Sequence, residues 1–335
     1  MADIAIFHSI DTNRYHHTTS EKSDFYTDTI SANKRGMIGD YRAALNGAIT
    51  MLIQSGVPFD FITEINIDEI SKYKLVVMPS VTCVSAETAS KITDFVKNGG
   101  TVIADGELGM FDPVSQKMKS KSVFSELMGA IHKGYIRYHD FDYFSFMGNS
   151  NCSDKAEYIP VPFHVFDLAT QNDVTVIAKA YAPLAGRYVA RPDNPDRPLI
   201  VCRKEGKGRI YYISATFFEF YQNYGIREYR QFIYDIIKKL AKPPVSLDKE
   251  NSGTIEITAR KSISGGGVML VHLLNYSGAL TRPIEKNVSL YNVALTFAHK
   301  VRTVKSLLSG QKLPVLSQKR VIIPCLNNFD VLIIK

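Results

Sequence analysis

Carboxylate side chains follow two predicted strands and are the first candidates for chemistry. Glu107 lies in the turn Asp105-Gly106-Glu107-Leu108-Gly109, which directly follows an apolar run, and Asp112 comes shortly afterwards. Glu219 follows a later apolar run at residues 209–214. Open α/β sheets place their sites at the carboxyl ends of strands, so these residues are candidate acids or bases of a hydrolase acting on sugars or amides. The favoured alternative for Glu107 is a turn carboxylate that accepts hydrogen bonds from backbone N–H groups.

Cysteine is a further candidate, as a nucleophile for covalent chemistry. Cys83 stands in the loop after Leu75–Met78, and as a nucleophile it would need a histidine base nearby in space. The late strand at residues 209–214 is followed by Ala215-Thr216-Phe217-Phe218-Glu219, which holds no His-x-Glu pair. We therefore interpret Cys83 as a small packed residue.

Metal and cofactor signals are weak. His16 and His17, with Asp11 or Asp24, are conceivable ligands, but adjacent histidines point in different directions and the spacing is not HxxxH. A solvated loop is the favoured interpretation. The chain has no GxGxxG after its first strand, no P-loop and no GxSxG turn, so we predict no metal and no cofactor.

Tyrosines cluster between residues 134 and 165. Tyr135, Tyr138 and Tyr143 are candidates for stacking on sugars, which is the basis of an alternative function as a carbohydrate-binding module. Aromatic residues are also enriched in subunit contacts, and we favour a contact here. The chain contains no tryptophan, a residue that sugar-binding sites often use.

The elements that position these residues alternate between strands and helices. Leu75–Met78 and residues 101–104 are continuous apolar runs, and a helix starting with Ser85 as its N-cap separates them. Further helices are predicted at residues 41–55 and 227–240, and residues 10–39 form a long polar loop. Continuous apolar strands that alternate with amphipathic helices predict a parallel sheet covered on both faces.

The pattern changes after Ala241-Lys242-Pro243-Pro244, where paired prolines end a helix. About six short alternating strands follow, which favours an antiparallel β-sandwich. We predict an α/β domain over residues 1–243 and a small β-sandwich domain over residues 244–335.

Composition narrows the class of protein. The chain has 335 residues and a formal charge of +7, and Lys117, Lys119 and Lys121 come closest to a basic cluster. The basic residues are too scattered along the sequence to predict nucleic-acid binding. No apolar run reaches the ~18 residues of a membrane span. Four cysteines without a CxxC pair favour a reducing, cytoplasmic setting.

Several segments together resemble a known module. They include Tyr73-Lys74-Leu75-Val76-Val77-Met78-Pro79-Ser80, then Phe95-Val96-Lys97-Asn98-Gly99-Gly100-Thr101-Val102-Ile103-Ala104. Gly206-Lys207-Gly208-Arg209 and His272-Leu273-Leu274-Asn275-Tyr276 add to the likeness. The chain resembles the glutamine-amidotransferase-like trimerisation domain, with the C-terminal β domain, of family 42 β-galactosidases and related glycoside hydrolases. The resemblance implies a flavodoxin-like fold of the class I glutamine amidotransferase type.

The resemblance also implies a role. In the amidotransferases a nucleophilic cysteine occupies the turn where Glu107 stands, and a carboxylate cannot form the thioester. The glycoside hydrolases carry their catalytic glutamates in a (β/α)8 barrel that precedes this domain, and no residue of this chain matches them. We therefore expect a non-catalytic oligomerisation or accessory module whose partners are further copies of itself or a barrel domain. The alternatives are the stand-alone hydrolase and the carbohydrate-binding module described above.

Overall fold

The protein is described from a computed structural model covering residues 2–19, 38–148, 158–190, 193–241, 243–248, 253–261, 268–278 and 287–335, the side chains of residues 17–19 and 261 excepted. The chain divides into two compact units. One consists of Asp3–Ile49 and Asp60–Ile237, and the other of Met1–Ala2, Thr50–Phe59 and Lys238–Lys335. The predicted division between residues 243 and 244 stays a prediction.

The helices are α1 (Ile10–Thr19), α2 (Tyr41–Gln54), α3 (Ala86–Lys97), α4 (Ser125–Met128), α5 (Phe217–Tyr224) and α6 (Arg227–Leu240), with a 3₁₀ helix at Glu64–Lys72. The first strands are β1 (Ile4–Phe7), β2 (Asp60–Ile62), β3 (Leu75–Met78), β4 (Thr101–Asp105), β5 (Ala130–Arg137) and β6 (Tyr143–Phe146). They are followed by β7 (Ile159–Pro160), β8 (His164–Thr170), β9 (Thr175–Ala180), β10 (Arg197–Glu205) and β11 (Gly208–Ile213).

A mixed sheet forms the centre of the first unit. Its strand order is β2-β1-β3-β4-β11-β10-β9-β6-β7. The part from β2 to β11 is parallel, in the order typical of flavodoxin-like folds. The remaining strands extend it in antiparallel fashion. The α/β prediction is confirmed, whereas the antiparallel extension was not predicted as part of this sheet.

Helix α3 shows how the sequence builds this layer. The Ser85 hydroxyl accepts a hydrogen bond from Thr88 N at 3.1 Å, which confirms the predicted N-cap. One face of the helix, with Ile92 and Val96, packs in the same apolar core as Val76 and Val102. The continuous apolar strands are therefore buried, as their sequence predicts.

Two helices depart from the sequence prediction. Residues 10–19 were expected to begin a long loop and instead form α1, while residues 20–37 of that predicted loop lie outside the described residues. Helix α5 was not predicted at all. It approaches α2 so closely that a Cβ added at Gly47 would overlap the carbonyl oxygen of Phe218, so this contact requires glycine.

The second unit is a sandwich of antiparallel strands. They are β12 (Val245–Leu247), β13 (Ile255–Lys261), β14 (Met269–Asn275), β15 (Leu290–Phe297), β16 (Val304–Ser306), β17 (Lys312–Leu313), β18 (Val315–Ser317), β19 (Arg320–Leu326) and β20 (Phe329–Ile334). Two sheets, ordered β12-β15-β19-β18 and β13-β14-β20-β16-β17, share one apolar core. The predicted C-terminal β-sandwich is confirmed.

Candidate functional site

The turn after β4 is built around glycine. Gly106 has φ +71°, a conformation that L side chains rarely adopt. Its N–H donates to the carbonyl oxygens of Ile213 at 3.2 Å and Ala215 at 3.0 Å. A Cβ at this position would lie 3.0 Å from Ser80 Oγ. The turn therefore holds the ends of β3, β4 and β11 together.

The Asp105 side chain also links these strand ends through hydrogen bonds. Its Oδ1 accepts from Ser80 N at 2.5 Å and Ser80 Oγ at 3.2 Å, and its Oδ2 accepts from Phe218 N at 2.9 Å. The side chain is fully buried, and burial raises the pKa of the carboxyl to about 7. Sequence reasoning missed this residue, although an aspartate closing a wholly apolar strand is a signal of a satisfied internal carboxylate.

Glu107 is buried beside that turn. It is 4% exposed, and the backbone of Ile38 hydrogen-bonds to its carboxylate. Its Oε2 is buried and has no hydrogen-bond partner among the described residues. Burial raises the pKa of Glu107 to about 7. The group can therefore hold a proton at neutral pH, which is what a general acid requires.

A tyrosine and a histidine complete the polar cluster. The Tyr212 hydroxyl donates to Gly106 O at 2.7 Å, and His132 Nε2 lies 2.5 Å from the same hydroxyl oxygen. Because the hydroxyl has one hydrogen, the His132 Nε2–H must be the donor in the second bond. Burial lowers the pKa of His132 to about 4, so the ring stays neutral. These groups pair with each other and with the backbone.

The other predicted carboxylates occupy different settings. Glu219, on α5, accepts from Asp40 N at 3.1 Å, and burial raises its pKa to about 7. Its charge interacts with that of Asp105. Asp112 accepts from Val114 N, Ser115 N and Ser115 Oγ at 2.7–3.1 Å within its own turn, and bonds from Ser115 lower its pKa. Asp112 thus acts as a turn cap, and any catalytic role of these carboxylates stays a prediction.

Cys83 and His16 are both packed. Cys83 is fully buried beside Tyr15 and Phe111, and burial raises the pKa of its thiol to about 12. A thiol of that kind supplies almost no thiolate at neutral pH, which supports the packing interpretation. His16 is 5% exposed with its ring 5.7 Å from that of Tyr41, so the predicted solvated loop is wrong for this residue, which packs from helix α1. Among the described residues, no three His, Cys, Asp or Glu side chains are placed to hold a metal ion.

The three candidate tyrosines differ in exposure. Tyr138 is 2% exposed and its hydroxyl donates to Tyr181 O at 2.9 Å, so burial conflicts with the predicted stacking of its ring on a sugar. Tyr143 is half-buried. Tyr135 is 43% exposed, and its hydroxyl lies 2.5 Å from His164 Nδ1. Ligand contacts at Tyr135 and Tyr143 stay predictions.

The fold defines a class: a flavodoxin-like α/β unit followed by an antiparallel β-sandwich. Residues 2–245 match the family described as beta-galactosidase trimerisation domain, and the chain belongs to that family. A comparison with curated protein sequences gives no match.

Solved structures share this architecture over the whole chain. Gan42B, a GH42 beta-galactosidase from G. stearothermophilus, matches with a TM-score of 0.67 and 17% identity over 100% of this chain and 40% of its own. The beta-galactosidase from Bacillus circulans sp. alkalophilus gives 0.71 and 14%, over 100% and 41%. The alpha-L-fucosidase isoenzyme 2 from Paenibacillus thiaminolyticus gives 0.71 and 16%, over 100% and 48%. At these identities the likeness shows the fold, and this chain spans less than half the length of each.

Within the part of the chain that the structure describes, none of the helices is long and apolar enough to cross a membrane.

Proposed function

We propose that this chain is a non-catalytic module that associates with further copies of itself. The observation that carries the proposal is the closed turn after β4. The polar groups of Gly106 and Asp105 bond to backbone groups and to the hydroxyls of Ser80 and Tyr212, and Glu107 is only 4% exposed. Among the described residues, this turn offers a substrate no accessible polar group at the place where the fold would present a nucleophile. The family's description as a trimerisation domain supports the same role.

Strand β5 supplies a surface suited to that association. Residues 131, 133, 135 and 137 are exposed, and a register shift between His132 and Gly134 places Ile131 and Tyr135 on opposite faces of the β5-β8 pair. Ile131 is 48% exposed and Tyr135 is 43% exposed. Burial of such apolar surface at an interface is favourable in free energy. We propose strand β5, with its exposed Ile131 at the centre and Lys133 beside it, as the self-association contact.

Light scattering coupled to size exclusion tests the proposal. At tens of micromolar the chain should elute with the mass of two or more chains of 37.5 kDa each. Ile131→Asp places a charge in the contact and should shift the mass towards one chain. Ile65→Asp is the matched control, because Ile65 is 85% exposed on the 3₁₀ helix away from β5 in sequence. A wild-type monomer, or equal effects of both substitutions, would contradict the proposal.

A catalytic domain is the second partner we propose. The matched structures are those of glycoside hydrolases, and this chain covers 40–48% of their length. We therefore propose that the module works beside a glycoside-hydrolase barrel domain. Pull-down of such a domain by the immobilised chain, weakened by added free chain, is the expected result.

A second candidate function rests on Glu107 alone. The raised pKa and the unpaired Oε2 are properties of a general acid in a hydrolase. Assays with 4-nitrophenyl glycosides and amides test it, with Glu107→Gln as the variant and Glu69→Gln, an exposed glutamate on the 3₁₀ helix, as the control. If a detected activity survives Glu107→Gln unchanged, Glu107 has no such role.

A further inference from the structure

The outer face of one sandwich sheet carries an open groove. A cavity of about 300 Å³ lies over β13, β14 and β20 and is lined by Glu256, Thr258 and Arg260 on the first of these strands. His272 and Leu274 line it from β14, and Phe329 and Val331 from β20. Its volume is at the lower end of the range of small-ligand pockets, about 300–1,000 Å³.

The register of the strands arranges this face in rows. Glu256 stands opposite Leu274, which stands opposite Phe329, so one row runs from a carboxylate across an aliphatic side chain to an aromatic ring. The next row joins Thr258, His272 and Val331. With strands about 4.8 Å apart, each row spans roughly 10 Å. That width suits a ligand of one or two rings.

A tyrosine orients the carboxylate in this groove. The Tyr276 hydroxyl donates to Glu256 Oε2 at 2.9 Å, which leaves the remaining lone pairs of the carboxylate open to other donors. Tyr276 is 43% exposed and Phe329 is 46% exposed, and Arg260 is also exposed. The groove thus combines a carboxylate acceptor that Tyr276 orients, a guanidinium donor and the aromatic surface of Phe329.

These features favour one ligand class over the others. Strands β14 and β20 are paired on both sides, and β13 forms the edge of the sheet, so a peptide strand added to that edge would lie beside the groove and not in it. The Glu256 carboxylate repels the phosphates of nucleic acids. Hydroxyl groups, which both donate and accept, match a carboxylate and a guanidinium on the same face, while the C–H face of a sugar ring packs on an aromatic side chain.

We propose that this groove is a saccharide-binding site. The sugar ring lies over Phe329 and one of its hydroxyl groups bonds to Glu256, while Arg260, about 13 Å along β13, bonds to a further hydroxyl group of a longer saccharide. The site lies within the sandwich unit and does not depend on the self-association proposed above. It also differs in position from the tyrosine cluster at residues 135–143.

Saturation-transfer NMR and calorimetry on the full chain test the site with galactose, lactose and maltotriose as probes. At least one probe should bind, and Phe329→Ala should weaken its binding about tenfold or more. Arg260→Ala should weaken it in the same direction. Tyr291→Ala is the matched control, because Tyr291 is a 68% exposed aromatic residue on β15 of the other sheet.

Three results would overturn the proposal. They are no saturation transfer from any probe at millimolar concentration, equal binding by wild type and Phe329→Ala, and equal losses in Phe329→Ala and Tyr291→Ala. Light scattering on the same samples separates the two proposals. Loss of sugar binding in a variant with unchanged mass supports the groove, whereas an absent oligomer bears only on self-association.

Discussion

Two regions of the molecule place a glutamate near a tyrosine hydroxyl, and they differ in access. In the first unit Glu107 is 4% exposed, and the Tyr212 hydroxyl donates a hydrogen bond to the backbone oxygen of Gly106. In the second unit Glu256 lines an open groove, and the Tyr276 hydroxyl donates directly to it. The first arrangement closes a turn, while the second presents an oriented carboxylate to solvent.

This difference shows that a residue's place in a fold does not decide its role. Glu107 stands at the strand end where an α/β sheet presents its chemistry, yet packing surrounds it. Glu256 stands near the start of a strand on a sheet face, where no fold rule places a site, yet it is accessible. Access and hydrogen-bond partners therefore separate the two glutamates better than their topological position does.

The largest expected effect tests whether the turn after β4 is as tightly closed as its contacts indicate. Gly106→Ala should lower the free energy of unfolding by about 3–4 kcal/mol, because it combines positive-φ strain of roughly 1–2 kcal/mol with overpacking of roughly 1–3 kcal/mol. The new Cβ would lie 3.0 Å from Ser80 Oγ and 3.4 Å from Ser80 Cα. Urea unfolding followed by circular dichroism measures the change.

Gly310→Ala is the control for Gly106→Ala. Gly310 has φ +70°, close to the +71° of Gly106, but no atom lies within 4 Å of its added Cβ. It should therefore show only the backbone strain, about 1–2 kcal/mol. Equal losses in the two variants would mean that the turn is not tightly packed.

The second prediction concerns the proton on Glu107. The pKa of its carboxyl is about 7 in the folded protein against an ordinary value of 4.5, so the folded state binds more protons between these pH values. Stability due to this group is therefore greatest below pH 4.5 and falls as the pH rises to 7. Glu107→Gln removes this ionisation and should be about 2–3 kcal/mol more stable than wild type at pH 8.

The measurement is the difference between wild type and Glu107→Gln in urea unfolding at several pH values. The difference should vanish near pH 4.5. Comparing the two proteins at each pH matters because His132 acts in the opposite direction: its pKa is lowered to about 4, so its contribution is lost as the pH falls from 6.5. A difference that does not change with pH would contradict the buried, ionisable state of Glu107.

Local sequence patterns predicted much of the first unit but not helix α1. The apolar runs correctly predicted β3 and β4, and Ser85 correctly predicted the start of α3, because these signals lie in neighbouring residues. Helix α1 has one local cap, in which Thr12 N donates to Ser9 Oγ at 3.0 Å, but a distant residue caps it as well. Glu64 Oε2 accepts from Ile10 N at 2.9 Å and Glu64 Oε1 accepts from Ser9 Oγ at 2.7 Å, which caps the helix from 54 residues away. A cap of this kind is visible only after folding.

The candidate sites show the same limit. The sequence located the turn with Glu107, because an apolar run followed by Asp-Gly is a local signal. It did not reveal the burial of Glu107, which depends on Ile38 and on the packing of distant segments. Alternation predicted strands near β13 and β14, but the groove arises from pairing with β20, more than 50 residues further along the chain.

The third prediction removes the buried hydroxyl beside the turn. Tyr212→Phe leaves Gly106 O and the His132 Nε2–H without their partner, since both bonds are made to that one hydroxyl. Unpaired buried polar groups cost roughly 1–3 kcal/mol, so we expect a loss of about 1–2 kcal/mol in urea unfolding. His132 should also become more accessible to a histidine-modifying reagent. Wild-type stability in this variant would mean that the hydroxyl is not needed to close the turn.

The smallest effect is expected from the same substitution in the other region. Tyr276→Phe removes the hydroxyl that donates to Glu256 Oε2, but Tyr276 is 43% exposed and water can replace the lost partner. The free energy of unfolding should change by less than about 0.5 kcal/mol. Sugar binding should weaken all the same, because Glu256 loses the bond that fixes its orientation. Comparable stability losses in Tyr212→Phe and Tyr276→Phe would contradict the difference in solvent access between the closed turn and the open groove.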